Sequence, residues 1–222
     1  MLLALDTSTR TVGLALYDGN QVLVEMTWTS LDHHTVELAP AVADVLSKSG
    51  ISAADLRALA VAIGPGSFTG LRIGLAFAKG LALVHRLPLI GIPTLEALAQ
   101  AQPVQDMPMA AILKAGRGRL AVAWYQPGKE AWDFKGQIEV VTPHELVERI
   151  TIPTLVCGEL SEAERQVLSR RRRTAVLCSP ARCLRRPGYL AELAWKRWLT
   201  GKVDDPSNLA PIYLHYNEQI PG

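Results

Sequence analysis

The stretch Gly64-Pro65-Gly66-Ser67-Phe68-Thr69-Gly70-Leu71-Arg72-Ile73-Gly74 constrains this chain more than any other. It sets four glycines and a proline at a strand-to-helix turn, then runs on as a helix with almost no polar face. Glycine reaches φ > 0 and lets other backbone come close. Pro65 stiffens the turn, and Ser67 is placed to cap the first amides of the helix. That helix, predicted over residues 68–85, sets Leu71, Leu75, Ala78 and Ala82 on one side and Ile73, Phe77, Gly80 and Val84 on the other. A helix apolar nearly all round needs cover on two sides. One sheet covers one side, so the second cover is expected to be another helix, approached closely along Gly70, Gly74 and Ala78.

Around this core the chain reads as alternating short elements. Residues 2–5 and 12–17 are predicted strands, Asp18-Gly19-Asn20 a hairpin turn, and 21–29 a third strand with Val22, Val24, Met26 and Trp28 at period two. Asp32 is a candidate cap for a helix over 33–49 that Gly50 stops, and Pro40 inside it predicts a kink or a broken ladder. Residues 59–63 and 88–92 are further strands, and Thr94 caps a helix over 95–102. The second half repeats the order loosely. Strands at 109–113 and 120–125 flank the turn 114–119, and a strand over 136–141 follows. Then come a helix from 142 or 143 to 150, a strand 154–157, a helix 161–170, a strand 174–177 and a last helix 187–199. Repetition within one chain predicts two similar lobes, 1–104 and a smaller, degenerate 105–222, joined near residues 102–108.

Several of these pieces carry a resemblance. The "ALDTST" strand end, the His34 helix with its Pro40, "GPGSFTGLRIG" with "AKGLA", "LPLIGIPTLEALA" and the C-terminal "APIYLH" together resemble the TsaB (YeaZ) family, relatives of the TsaD transferases. The motifs are dense in the first half and thin in the second. The resemblance implies an α/β fold of two actin-like, ribonuclease-H-like lobes of order β-β-β-α-β-α. It implies a non-catalytic subunit of the complex that forms N6-threonylcarbamoyladenosine in tRNAs reading ANN codons. The implied partners are TsaD as a heterodimer, TsaE, a second copy of the chain when TsaD is absent, and tRNA through the complex. No cofactor of its own is implied, with ATP or ADP at the TsaB–TsaD boundary as the candidate nucleotide.

Candidate sites follow. The partner interface is expected on the two N-terminal-lobe helices, at His34, Leu38, Val42 and Leu46 and at Gly70, Leu71, Gly74, Leu75, Ala78 and Ala82. Asp6, Thr7, Ser8 and Thr9 end the first strand where actin-like ATPases and sugar kinases surround a phosphate with amides and hydroxyls. The alternative at that place is a satisfied polar turn. A phosphotransferase also needs an acid across the cleft for Mg²⁺ or a hydroxyl. The matching turn, 114–119, contains no carboxylate: Lys114, Gly116 and Arg119 stand where the family usually has Asp, Arg and Glu. A stand-alone actin-like ATPase or small-molecule kinase is therefore the weaker reading, and no catalytic residue is assigned.

Other chemistry fares worse. The five histidines, at 33, 34, 85, 144 and 215, form no His-x-x-x-His pair, so no metal site is expected. There is neither HExxH nor Gly-x-Ser-x-Gly, against a peptidase. Cys157, Cys178 and Cys183 make no CxxC and read as buried thiols. The run Arg170-Arg171-Arg172-Arg173, with Arg165, Arg182, Arg185 and Arg186 nearby, is a candidate tRNA contact or a solvated helix end. A net charge of +2 places no general demand for nucleic acid. The first five residues meet Asp6 too soon for a signal core, and no apolar run approaches the roughly 20 residues that span a bilayer. A cytoplasmic protein is expected.

Overall fold

The computed structural model describes residues 1–31, 33–170 and 173–214. Two five-stranded mixed sheets share one topology. In the first, β1 (Leu2–Asp6) pairs antiparallel with β2 (Thr11–Tyr17), and β2 antiparallel with β3 (Val22–Thr29). On its other edge β1 runs parallel to β4 (Ala58–Gly64), and β4 parallel to β5 (Leu89–Pro93). The second sheet repeats this. β6 (Met109–Gly116), β7 (Arg119–Pro127) and β8 (Trp132–Val141) form the antiparallel half. Beyond β6, β9 (Thr154–Gly158) and β10 (Ala175–Leu177) run parallel.

Helices separate and cover the sheets. α1 (His34–Lys48) and α2 (Phe68–His85) bury Leu38, Val42, Val45, Leu75, Ala78 and Ala82 against Leu3, Leu5, Leu14, Leu16 and Leu59 on one face of the first sheet. The opposite face, with Leu2, Ala4, Ala60 and Ile90, receives Ala97 of α3 (Thr94–Gln100) and Leu190, Ala191 and Ala194 of α6 (Pro187–Leu199). The other side of α3, at Leu95, Leu98 and Ala99, enters the second core with Met109, Ala111 and Leu113. α4 (Pro143–Arg149) and α5 (Glu162–Ser169) cover the far face of that sheet through Leu146 and Leu168. Two sheets with a shared helical layer between them are the actin-like arrangement of two lobes.

The second half of the chain thus reaches back to the first sheet. Trp195 and Trp198 of α6 meet edge to face at 5.0 Å beside that core rather than forming an exposed platform. Beyond α6, the Asp204 amide donates to Leu89 O at 2.8 Å, and the Ile212 amide to Ile63 O at 2.7 Å. The terminal segment is strapped to the first lobe. Among the described residues no helix is long and apolar enough to cross a membrane.

Local chemistry accounts for most boundaries and for two departures. Ser67 accepts from the Gly70 amide at 3.2 Å, the expected cap of α2. Asp32, the expected cap of α1, lies outside the described residues, and α1 begins after His33 with no side-chain cap. The helix stays continuous through Pro40, which is exposed, so the carbonyl deprived of its partner can be hydrated. β8 begins at Trp132, earlier than expected, because Gly136 adopts φ +86° beside a register shift between Val122 and Trp124. The glycine belongs to a bulge inside the strand, not to its start.

The largest correction concerns the glycine ladder. A Cβ on Gly66 would overlap the Ser8 carbonyl, one on Gly70 the Thr7 carbonyl, and one on Gly74 the Thr7 hydroxyl. The glycines therefore admit the loop after β1, not a second helix. The two sequence motifs are the two sides of one contact.

Candidate functional site

The loop after β1 lies at the floor of a cleft between the lobes, with a volume of about 1030 Å³. Thr9, Arg10, His34, Gly66, Ser67 and Phe68 line it from the first lobe, and Leu113, Lys114, Ala115, Glu159 and Leu160 from the second. Tyr213 and Leu214 of the terminal strap also line it.

Every side chain expected to meet a nucleotide is engaged within the protein. Asp6 Oδ1 accepts from the Ser8 amide at 2.9 Å and from the Ser8 hydroxyl, an Asx turn that fixes the loop. The Thr7 hydroxyl donates to Gly70 O at 2.7 Å. The Thr9 hydroxyl donates to Glu159 Oε1 at 2.8 Å. His34 Nε2 lies 3.0 Å from Thr9 O, and since a carbonyl only accepts, Nε2 carries the hydrogen. His34 is buried there, tying the start of α1 to the loop rather than facing a partner subunit.

The organising residue is Arg185, only 3% exposed. Its Nε donates to Asp6 Oδ2 at 2.9 Å, Nη1 to Glu159, and Nη2 to Thr9 Oγ1 at 2.7 Å and Thr11 O at 3.0 Å. Burial works against its charge, but the Asp6 and Glu159 carboxylates outweigh burial and hold the guanidinium above the ordinary arginine pKa. The acid expected to be missing from the second lobe is thus present, as Glu159 just after β9 and not in the 114–119 turn. An arginine of the same chain bridges the two acids. Sequence reading counted Arg185 among the surface cations and passed over Glu159.

The remaining expected sites move as well. Leu38, Val42, Leu46, Gly70, Leu71, Gly74, Leu75, Ala78 and Ala82 are all buried within this one chain. The stripe assigned to a partner is the stripe turned to the first sheet. Each leucine gains about 1.5–3 kcal/mol by burial, a gain that Ala76 and Gly80 on the opposite side do not offer. The uncovered side is apolar too. Val36 (68% exposed), Ala39, Pro40 and Ala43 are exposed on α1, and Ala76, Gly80, Leu83 (81%) and Val84 (74%) on α2, two helices in contact with each other. Of the arginine run, Arg170 caps the C-terminus of α5 and is exposed, as is Arg173. Arg171 and Arg172 lie outside the described residues. Arg165 turns inward, donating to Cys178 O at 3.0 Å.

This geometry defines a class: two actin-like lobes over a cleft whose acidic pair is neutralised from within. The solved structure of YeaZ from Pseudomonas aeruginosa superposes with a TM-score of 0.79 at 26% identity, covering 96% of this chain and 99% of that one. A ROK hexokinase from Thermus thermophilus, at 10% identity and a TM-score of 0.51, shares the fold alone. The family model described as TsaD: tRNA N6-adenosine threonylcarbamoyltransferase matches residues 27–161. The tRNA threonylcarbamoyladenosine biosynthesis protein TsaB of Escherichia coli K12 is 30% identical over 100% of this chain and 98% of its own length. The TsaB of Bacillus subtilis 168 is likewise 30% identical, over 98% and 95%. The chain belongs to the TsaB (YeaZ) family, whose members are named for tRNA threonylcarbamoyladenosine biosynthesis.

Proposed function

We propose that this chain serves threonylcarbamoyladenosine formation on tRNA as a non-catalytic subunit that pairs with a TsaD-type transferase, with TsaE joining the pair. The observation that carries the reading is Arg185: its guanidinium bridges Asp6 and Glu159, so the negative charge a metal would need is already balanced by the chain itself. What the chain then offers a partner is the outer face of α1 and α2. An occupant of similar fold fits that face, because two related subunits can bring like helices together about a pseudo-twofold axis. The match of this chain to the TsaD family model supports such likeness. When TsaD is absent, a second copy covers the same face. ATP or ADP is proposed at the boundary of the two subunits, and the exposed Arg170 and Arg173 as contacts for the tRNA backbone.

The test is reconstitution. A purified TsaD-type transferase, given threonylcarbamoyl-AMP and tRNA, should form threonylcarbamoyladenosine readily only when this chain is added. The chain alone with Mg²⁺ and ATP should show no turnover. Hydrolysis that stays with the chain through purification and disappears in Glu159→Gln would support the ATPase reading instead.

A further inference from the structure

Three free thiols converge on the second lobe, outside the cleft chemistry. Cys157 lies on β9, Cys178 just after β10, and Cys183 at the end of a 3-10 turn, Pro180–Cys183; all are buried. The Cys157 thiol donates to the Arg182 carbonyl at 3.7 Å, against the peptide bond that leads into Cys183, and the three cysteines share one buried cluster. The Arg165 Nη2 donates to Cys183 Sγ at 3.4 Å, so a cation stands at that sulfur. Among the described residues no group of three His, Cys, Asp or Glu is arranged to hold a metal ion. Cover is thin: Ser179, Pro180, Ala181, Arg182 and Leu184 around the turn are exposed.

Cys157 pulls the Cys178 and Cys183 thiols both down. The Cys157 hydrogen bond, then the Gly158 amide and Arg165, pull the Cys183 thiol down to about 6 against the opposing effect of burial. A thiolate is the nucleophilic form, and a neighbouring arginine favours it. Hydrogen bonds to Cys178 and Cys183, with burial, push Cys157 up and keep it protonated.

The position of the pair matters as much as its chemistry. Cys157 precedes Glu159 by two residues, and Cys183 precedes Arg185 by two. The two thiols therefore sit on the same two segments that supply the ion pair at the floor of the cleft.

We propose that Cys157 and Cys183 form a peroxide-sensitive dithiol whose closure to a disulfide loosens the Asp6–Arg185–Glu159 cluster. The Cys183 thiolate attacks one oxygen of hydrogen peroxide. The O–O bond breaks, and Cys183 becomes a sulfenic acid while the other oxygen leaves as water after taking a solvent proton. The Cys157 sulfur then attacks the sulfenic sulfur. An S–S bond forms, the S–O bond breaks, and hydroxide departs with the Cys157 proton as water. Two thiols lose two electrons, and one peroxide is reduced to two waters. Sulfurs in a disulfide stand about 2.0 Å apart, closer than any thiol hydrogen bond. Closure therefore draws the 3-10 turn toward β9 and re-aims Arg185.

The full chain is treated with hydrogen peroxide, alkylated with N-ethylmaleimide in denaturant and peptide-mapped. The expected result is a Cys157–Cys183 crosslink that dithiothreitol reverses, that persists in Cys178→Ser and that vanishes in Cys183→Ser. In the crosslinked protein the Thr11 amide, bonded to Thr9 Oγ1 at 3.1 Å, should exchange with deuterium at least tenfold faster, while α4 is unchanged. Three alkylatable thiols after peroxide, a crosslink through Cys178 in the unmodified sequence, or irreversibly oxidised Cys183 without a crosslink would each overturn the proposal. A Cys157–Cys183 crosslink with unchanged Thr11 exchange would overturn its coupling to the cleft.

Discussion

Replacing Arg185 by Met probes the cleft floor directly. The substitution keeps an unbranched side chain but removes the charge that balances Asp6 and Glu159. Asp6 is 4% exposed at its side chain and Glu159 23%, so the stranded charge falls chiefly on Asp6. Breaking a buried ion pair from one side costs about 3–5 kcal/mol, because the remaining charge keeps its desolvation penalty without its partner. Against a total stability of about 5–15 kcal/mol that is a large share. With a urea m-value of roughly 2–3 kcal/mol/M, a loss of about 4 kcal/mol lowers the midpoint by about 1.3–2 M. Arg186 provides the control. Its pair with Glu25 has an arginine side chain 53% exposed, and such pairs contribute about 0–1 kcal/mol. Arg186→Met should therefore shift the midpoint by less than about 0.5 M. Adding Asp6→Asn and Glu159→Gln to Arg185→Met should recover part of the loss. Urea melts in which Arg185→Met and Arg186→Met are indistinguishable would refute the reasoning.

Other expectations follow from the same structure. Gly70→Ala drives a methyl into the Thr7 carbonyl, backbone that cannot yield, and should cost about 3 kcal/mol or more. Gly80→Ala meets nothing within 4 Å and should stabilise α2 by up to about 1 kcal/mol; urea melts of the two separate them. The rate at which Cys183 reacts with peroxide should rise as pH passes through about 6 and flatten above, because the thiolate fraction saturates there; stopped-flow rates from pH 5 to 9 read the profile. Asp204→Ala removes the carboxylate that accepts from the buried Gly91 amide at 2.7 Å, and should cost about 1–3 kcal/mol with faster exchange at Gly91.

Much of the fold was legible because it rests on short-range rules. Alternation marked β3, the Asp18-Gly19-Asn20 turn marked its hairpin, and Ser67 marked the start of α2 where its cap is found. What escaped depends on contacts between residues far apart in the chain. Arg185 and Arg186 are neighbours of one type, yet one is buried beside Asp6 and the other exposed beside Glu25; nothing local distinguishes them. Glu159 follows an apolar strand with no surrounding motif. The phase of α2 was ambiguous because both sides are apolar. Only the loop at Thr7 and Ser8, more than sixty residues upstream, decides which side the glycines serve. Gly74→Arg, a natural choice from sequence for breaking a helix contact between subunits, would instead disrupt the interior.

The outer face of α1 and α2 is the proposed docking surface, and the mass of the complex tests it most directly. Mixed with a TsaD-type transferase from its own cell, the chain should sediment or scatter as a one-to-one pair. Gly80→Arg, placed where a side chain meets open space, should leave two separate species and an unchanged melt of the chain alone. A pair that survives Gly80→Arg, or no pair at all with the unaltered chain, would contradict it.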